Sequence, residues 1–362
     1  DQDMNLCQSS VIANEEKAAE GPTYCANEPI RHRILINGHL TGNCSEITLP
    51  TGIDQYGKNR TAVCFLSSFN LETYDEWKDD DQFIEDVFYF MDAVVQDLID
   101  NAPPEMANAV YGATRERAIG VGVMGFHSFL QQRGIPFESV MAKSWNRKLF
   151  KMLREKADAA SYKIASERGS CPDAEDAGIV ERFTCKLAVA PTASISILCG
   201  EASPGIDPIA HCVYMSKTLT GNREYRNRYL VKLLREIGHD TEEVWSSIRV
   251  NKGSVQHLDF LTQDQKDVFK TAFEIDQRWI IEHAADRVPY ICQSQPVNLF
   301  LPPDVHKRDL HAIHMLAWEK GLKSLYYCRS YSVAKSDTIS NSAHASTPAA
   351  KLIDYDECLA CQ

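Results

Sequence analysis

Cys44 and Glu46 lie two residues apart in the stretch G-N-C-S-E-I-T-L-P-T, a pattern that suits thiol chemistry. Residues i and i+2 of a strand face the same side, so the thiol and the carboxylate would point into one space. The alternative is a buried core cysteine beside a surface glutamate. That alternative would need one face of the strand to be both buried and exposed. Cys64 follows in a β-branched run, where an adjacent strand could bring it close to Cys44. A small core residue is the simpler interpretation of Cys64.

A second sequence pattern is suited to binding an anion. Residues 190–196 read A-P-T-A-S-I-S after an apolar run, so a strand would end at Pro191 and a helix would open with Thr192, Ser194 and Ser196. The N–H groups and hydroxyls at such a helix start bind phosphate without lysine or arginine. An ordinary Ser/Thr N-cap produces the same pattern.

Tyr326 and Tyr327 are adjacent in an apolar run. Neighbouring strand residues face opposite sides, so we expect one buried and one exposed ring, and generic packing is the simplest role for them.

Cys358 and Cys361 form a C-L-A-C motif at the end of the sequence. A CxxC motif is either a redox dithiol or half of a zinc site. His311 and His314 have the wrong spacing for the other half, so we expect a redox dithiol and no metal. Residues 332–357 are rich in Ser, Ala, Thr and Asp and bury little apolar surface, which predicts a flexible tether.

The composition limits the function classes. The 362 residues are 44% hydrophobic and 24% charged, with a mean hydropathy of −0.31 and a net charge of −12. An acidic chain is a poor duplex binder, and no apolar run reaches the ~18–20 residues of a membrane span. The first residues show no secretory signal, and twelve cysteines are too few for a disulfide scaffold. We therefore expect a cytoplasmic protein without a nucleic-acid or membrane partner.

Long amphipathic helices alternate with short apolar runs. Helices are predicted over residues 82–100, 144–168 (from Ser144 to a stop at Gly169) and 304–320, and after a capping box at Thr262 and Gln265. Strands are predicted at residues 61–66, 118–124, 186–190 and 323–327. This alternation is typical of an α/β fold with a mainly parallel sheet.

Seen together, these motifs identify a family. The chain resembles the large (α) subunit of class I ribonucleotide reductases over roughly residues 38–362. The resemblance rests on N-C-S-E-I-T-L-P-T (43–51), V-C-F-L-S-S-F-N-L (63–71), R-A-I-G-V-G-V-M-G-F (117–126), A-P-T-A-S-I-S (190–196), S-P-G-I-D-P (203–208), K-S-L-Y-Y (323–327) and E-C-L-A-C-Q (357–362). Their order and approximate spacing follow the family, which makes the match specific.

The resemblance implies an α/β fold that forms the C-terminal part of a ten-stranded barrel over residues 38–331. A flexible redox tail follows over 332–362, and residues 1–37 remain unassigned. It also implies that Cys44 becomes a thiyl radical that takes the 3′ hydrogen of the ribose, and that Glu46 takes the 3′-hydroxyl proton. Cys64 would be one of two cysteines that reduce the 2′ carbon. The family has Asn where this chain has Gly42, so either Asn43 takes over that residue's hydrogen bond to substrate, or this half relies on a partner or a local shift.

The remaining roles are implied in the same way. Tyr326 and Tyr327 would relay the radical, and Cys358 and Cys361 would re-reduce the active site. The substrate's diphosphate would be held by Pro191, Thr192, Ala193, Ser194, Ile195 and Ser196.

The implied partners are a ribonucleoside diphosphate, a metal-containing small (β) subunit that supplies the radical, and thioredoxin or glutaredoxin. This chain itself would bind no cofactor. The first half of the family's chain, including the second reducing cysteine, has no counterpart here, which implies a naturally split or intein-interrupted large subunit with a complementary N-terminal half, or an excerpt of a longer one. The alternatives are a non-catalytic assembly fragment and a zinc-dependent or thioredoxin-like protein that uses only the terminal CxxC motif.

Overall fold

The computed structural model describes residues 46–218 and 221–330 and the backbone of residues 33–36 and 39–42. Side chains are described for residues 46–215 and 224–330. The helices are α1 (Tyr74–Trp77), α2 (Asp81–Asn101), α3 (Ala107–Glu116), α4 (Phe126–Gln132), α5 (Val140–Arg168), α6 (Pro172–Asp176), α7 (Ala193–Leu198), α8 (Arg228–Glu236), α9 (Glu242–Val250), α10 (Gln263–Val268), α11 (Gln277–Arg287) and α12 (Lys307–Glu319). The strands are β1 (Arg33–Ile36), β2 (His39–Gly42), β3 (Gly52–Ile53), β4 (Asn59–Arg60), β5 (Leu66–Asn70), β6 (Gly120–Met124), β7 (Val213–Thr218), β8 (Gly221–Arg226), β9 (Leu299–Phe300) and β10 (Cys328–Arg329).

A run of parallel backbone pairings forms the centre of the chain. β5 pairs in parallel with β6, and the segment 185–189 joins the other side of β6 through a parallel bridge between Val121 and Leu187. Gln293 then donates to the carbonyl of Leu187 at 3.0 Å, and β9 pairs in parallel with β10. Every residue of β6 is buried, as expected of a parallel strand covered on both faces. The predicted mainly parallel α/β architecture is confirmed in these residues.

The close approach of these strands explains a glycine in the G-V-G run. A Cβ on Gly122 would lie 2.3 Å from the carbonyl oxygen of Ala188. Only glycine lets the two backbones pack at this distance.

The predicted helices form, with shifts at their ends. α2 extends the predicted range by one residue at each end and buries Ile84, Phe88, Met91 and Val95. α5 ends at Gly169 as predicted, but it begins at the N-cap Ser139, whose hydroxyl accepts from the Ala142 amide at 3.1 Å. The prediction of Ser144 as the start was therefore wrong. Its first-turn residues Val140 and Met141 are exposed, so the helix begins before its apolar stripe does.

Two further boundaries also differ. The capping box at Thr262 and Gln265 is confirmed, but α10 stops at Val268, and α11 starts afresh after the N-cap Asp276. The strands predicted at 61–66 and 323–327 form later, as β5 and β10. Apolar content alone placed both strands too early.

A buried ion cluster joins the helical layer to the strands. Asp92 of α2 is 1% exposed and accepts hydrogen bonds from Arg117 at 2.9 Å, Arg182 at 2.8 Å and Arg168 at 2.9 Å. Burial alone would raise the pKa of Asp92, but the hydrogen bonds and charges of these arginines hold it below its ordinary value. The cluster fixes α2 and α5 against the chain that leads into β6.

Within the described residues, no helix is long and apolar enough to cross a membrane.

Candidate active site

Glu46 lies at the centre of the candidate site. Its carboxylate is fully buried, and its backbone carbonyl accepts from the Ser294 amide at 2.9 Å. Two residues on, Thr48 donates to Oε1 of Gln293 at 3.3 Å, while Gln293 donates to the carbonyl of Ile119 at 3.0 Å. The segment that carries Glu46 is thus fastened to Gln293 and Ser294, and through Gln293 to the chain just before β6. The alternative of a surface glutamate does not hold.

Cys64 is a thiol on which the charge of this carboxylate acts. It precedes β5 and is exposed at the surface of the described chain, so its interpretation as a core residue was wrong. Protein nevertheless surrounds much of the sulfur, and this burial together with the negative charge of Glu46 raises the pKa of the thiol to about 12. Cys64 therefore stays protonated at neutral pH and can donate hydrogen.

The two tyrosines face each other. Their ring centroids are 4.0 Å apart at an angle of 49°, and both side chains are half-buried. The expectation of one buried and one exposed ring was wrong, because residues 324–327 are not a regular strand. Burial first, and then a hydrogen bond with Tyr327, raise the pKa of Tyr326, and the charge of Glu46 adds to the rise. Tyr326 thus lies within electrostatic reach of Glu46.

The A-P-T-A-S-I-S segment forms the turn and short helix expected of it. Thr192 is the N-cap of α7, in a left-handed conformation with φ of 55°. Its hydroxyl accepts from the Gly205 amide at 2.6 Å, which joins this loop to the S-P-G-I-D-P segment. Gly205 itself has φ of +50°, and a Cβ there would meet the carbonyl of Ala190 at 2.9 Å. Both loops therefore depend on tight backbone contact.

The start of α4 holds the same loop from the other side. Gly125 donates to the carbonyl of Ser203 at 2.7 Å, and Phe126 donates to that of Gly205 at 3.2 Å. Ser128 and Ser203 exchange hydrogen bonds, each amide donating to the other's hydroxyl, at 3.1 and 2.9 Å. The fold therefore brings together three motifs: R-A-I-G-V-G-V-M-G-F, and the much later A-P-T-A-S-I-S and S-P-G-I-D-P.

A cavity of about 340 Å³ opens beside these loops, within the size range of small-molecule sites. Its lining includes Pro191, Ala193, Ser196, Asp207, Asn298 and Arg329. The Asn298 amide donates to Asp207 and its carbonyl oxygen accepts from Arg329 at 3.3 Å. The Arg329 guanidinium in turn lies 5.5 Å from the centre of the Tyr327 ring. Polar contacts therefore connect the cavity to the tyrosine pair.

No role was predicted for Asp207, Asn298 or Arg329 from their sequence context. Burial raises the pKa of Asp207 to about 6, against the opposing effect of the hydrogen bond from Asn298. The sequence placed Asp207 in a family motif, but nothing local to it pointed to partners some 90 and 120 residues away.

Four predicted site residues lie outside the described residues: Asn43, Cys44, Cys358 and Cys361. The other predicted residues fall into two groups. Glu46, Cys64, Tyr326 and Tyr327 form one, and the 191–196 loop with the cavity forms the other.

The model of a known family matches most of the chain. The barrel domain of ribonucleotide reductase aligns with residues 39–180 and 175–328. The chain belongs to the ribonucleotide reductase barrel family. Its predicted fold class is therefore confirmed.

Individual members of the ribonucleotide reductase family are similar over most of the chain. The ribonucleoside-diphosphate reductase large subunit of Invertebrate iridescent virus 6 is 52% identical over 323 residues, which cover 88% of this chain and 33% of that protein. The large subunit of Invertebrate iridescent virus 3 is 40% identical, over 88% of this chain and 49% of that protein. The chain thus spans about a third to a half of the length of these curated relatives.

A solved structure supports the same assignment. The class Id ribonucleotide reductase α subunit of Actinobacillus ureae superposes with a TM-score of 0.73 at 40% identity, over 82% of this chain and 54% of that one.

Proposed function

We propose that this chain is the C-terminal catalytic part of the large subunit of a class I ribonucleoside-diphosphate reductase. The observation that carries the proposal is that Cys64 and Tyr326 both lie within electrostatic reach of the buried Glu46, whose charge acts on the thiol and on the phenol. A reductant, an acid–base group and a radical relay are the parts that thiyl-radical reduction of a ribose needs. The name and likeness of the relatives favour the same reaction.

In this proposal, Cys44 takes the 3′ hydrogen of the ribose as a thiyl radical, and Glu46 accepts the proton of the 3′ hydroxyl. Asn43 holds the substrate beside them. Cys64 acts as one of two thiols that reduce the 2′ carbon and become a disulfide. Its raised pKa suits this role, because a protonated thiol can deliver hydrogen whereas a thiolate cannot.

Tyr326 and Tyr327 carry the radical toward Cys44. Because the raised pKa keeps Tyr326 protonated, its electron and proton leave together and no charge is stranded among the half-buried rings. The radical originates in a metal-containing small subunit, and this chain contributes only the path. The ring contact at 4.0 Å provides that path.

The 191–196 loop binds the substrate's diphosphate with amides and hydroxyls, and the adjoining cavity receives the nucleoside. The tail dithiol Cys358–Cys361 reduces the active-site disulfide by thiol–disulfide exchange and is itself reduced by thioredoxin or glutaredoxin. Such a reductase works in the cytoplasm, where these reductants act.

The first test is reconstitution. The purified chain is assayed for CDP reduction with a cognate small subunit, with and without the complementary N-terminal half of the large subunit. We expect deoxycytidine diphosphate only when that half is present, because the second reducing cysteine must come from it. Full activity without the half would refute the need for a complement. Inactivity of the complete assembly would favour the alternative, a non-catalytic assembly fragment.

The relay is tested in the same assembly. Tyr326→Phe and Tyr327→Phe should each abolish turnover and leave nucleotide binding intact, because phenylalanine keeps the ring without the phenolic proton. Tyr162→Phe, at an exposed tyrosine of α5, is the matched control and should retain wild-type turnover. Wild-type rates in either relay variant would contradict the role of the pair.

The tail is tested by replacing both of its cysteines. An assembly with Cys358→Ser and Cys361→Ser should convert about one equivalent of substrate when pre-reduced and then stall with thioredoxin alone. A small dithiol should restore part of the turnover by diffusing into the site. Sustained thioredoxin-driven turnover would refute the assignment of the tail. Stoichiometric zinc in the purified chain would instead favour the zinc-protein alternative.

A further inference from the structure

Cys185 and Cys292 lie next to each other in the fold, among residues to which the reaction above gives no role. Cys185 lies two residues before Leu187, which forms a parallel bridge with Val121 of β6, and Cys292 follows the turn Val288–Tyr290. The Lys186 amide donates to the Cys292 sulfur at 3.4 Å, and the residue after Cys292, Gln293, donates its amide to the carbonyl of Leu187. The backbone therefore holds Cys292 beside residues 185–187.

The distance between the two residues follows from this hydrogen bond. The Lys186 nitrogen is about 2.4 Å from the Cys185 Cα across their peptide link. The Cys292 sulfur, 3.4 Å from that nitrogen, is thus within about 6 Å of the Cys185 Cα. The Cys185 sulfur lies about 2.8 Å from its own Cα, so a rotamer that turns it towards Cys292 brings the two sulfurs to about 3 Å, and the ~2.0 Å S–S bond then needs a modest adjustment. The charge of Cys292 also acts on Cys185, which agrees with this proximity.

The two thiols differ in their surroundings. The Cys292 sulfur accepts from both the Lys186 amide and the Arg154 guanidinium, the latter at 3.5 Å. An N–H donor and a cation stabilise a thiolate, the form that reacts with peroxide. Burial first, and then the charges of Cys292 and Glu116, raise the pKa of the Cys185 thiol to about 11. Cys292 is therefore the nucleophile of the pair, and Cys185 is the thiol that waits in protonated form.

We propose that Cys292 and Cys185 form a peroxide-reactive disulfide site in which Cys292 reacts first and Cys185 resolves it. The Cys292 thiolate attacks hydrogen peroxide, the O–O bond breaks, and sulfenic acid and hydroxide form, the hydroxide taking up a proton as water. The Cys185 sulfur then attacks the sulfenic sulfur, the S–O bond breaks, and a second water leaves. Two thiols lose two electrons and two protons in total, and one peroxide becomes two waters.

Each cysteine of the pair lies in a chain segment that continues to the candidate active site. The 185–189 segment continues into the 191–196 loop, and the chain after Cys292 continues through Ser294, which holds Glu46, to Asn298. The disulfide would link these two segments covalently at one end. The proposal itself does not depend on reductase activity.

The test maps thiols in the full chain, without any assay of turnover. The reduced chain is treated with hydrogen peroxide, blocked with N-ethylmaleimide, digested and analysed by mass spectrometry. We expect a Cys185–Cys292 cross-linked peptide that has lost two hydrogens. The buried Cys171 and Cys212 are internal controls and should remain alkylatable after unfolding. Recovery of both Cys185 and Cys292 as free thiols, at a peroxide dose that oxidises the exposed Cys199, would overturn the proposal.

Substitutions test the order of the steps. Cys185→Ser should leave Cys292 as a sulfenic acid that dimedone traps, whereas Cys292→Ser should leave Cys185 as a thiol. The reverse pattern would overturn the assignment of nucleophile and resolving thiol.

The role of Arg154 is tested on the Cys185→Ser background, by the rate of dimedone labelling of Cys292. Arg154→Met should slow the labelling, because it removes the cation that contacts the Cys292 sulfur. Arg154→Lys keeps the charge and should retain most of the rate. Lys151→Met changes an exposed cation on the same helix and should have no effect. Equal rates in all three variants would overturn the electrostatic basis of the site.

Discussion

Replacing Glu46 with glutamine directly tests the electrostatic effect of this carboxylate on the Cys64 thiol. The pKa of Cys64 rises from 9.0 to about 12, with burial as the larger cause and the charge of Glu46 as the smaller. Glu46 therefore accounts for less than half of a rise of about three pH units, or less than about a 30-fold change in the thiolate fraction. Solvent screening at this exposed thiol reduces the effect. We expect Glu46→Gln to raise the Cys64 thiolate fraction by about 3- to 30-fold.

The assay is the rate at which iodoacetamide alkylates Cys64, followed by mass spectrometry of its peptide between pH 8 and 9. Only the thiolate reacts, so the rate should rise by the same factor as the thiolate fraction. Glu76→Gln, at an exposed carboxylate of α1, is the control and should leave the rate unchanged. An unchanged or slower rate in Glu46→Gln would show that the carboxylate does not act on this thiol.

Three further predictions concern stability and are read from urea unfolding of the chain. Asp92→Asn should lower the free energy of unfolding by about 3–5 kcal/mol because it leaves buried arginines without their carboxylate, whereas Asp97→Asn on the exposed face of the same helix should cost little. Gly205→Ala should destabilise by more than Gly238→Ala: both have positive φ, but only at Gly205 would the Cβ meet backbone. The pKa of Asp207 is raised to about 6 from an unfolded value of about 3.9, so the folded chain binds this proton more tightly and stability falls as the pH rises from about 4 to above 6. Asp207→Asn should remove that loss, with a gain of up to about 3 kcal/mol at pH 7.5 and none at pH 4.

Local patterns predicted the elements whose apolar stripe faces the core. α2 could be recognised because Ile84, Phe88 and Val95 repeat at helical spacing and are all buried. The capping box at Thr262 was also readable, because its hydrogen bonds join residues three apart. The start of α5 was missed because Val140 in its first turn is exposed. An exposed apolar residue does not mark the buried face of the helix.

The geometry of the site was less accessible from the sequence. Alternation predicted divergent tyrosine rings, but alternation holds only for regular strands, and the tyrosines precede β10. The simpler local interpretation of Cys64, a residue of a core strand, followed from its β-branched neighbours, yet the strand begins at Leu66. The contacts between Asp207, Asn298 and Arg329 join three distant segments, so only the folded chain brings them to one cavity.

The exposure of two parts of the candidate site bears on how the site is completed. Cys64 is exposed, and Leu198 of α7, beside the proposed phosphate loop, is 83% exposed. The proposed radical chemistry on a sugar needs a site from which water is excluded, because water permits side reactions of the reactive intermediates and weakens every electrostatic contact. In the proposed reaction, covering the surface at Cys64 would exclude water from the reducing thiol, and covering Leu198 would bury an exposed apolar side chain. The chain spans about a third to a half of the length of these relatives. In the proposed reductase, the complementary half would cover both parts of the site as well as contribute a second cysteine.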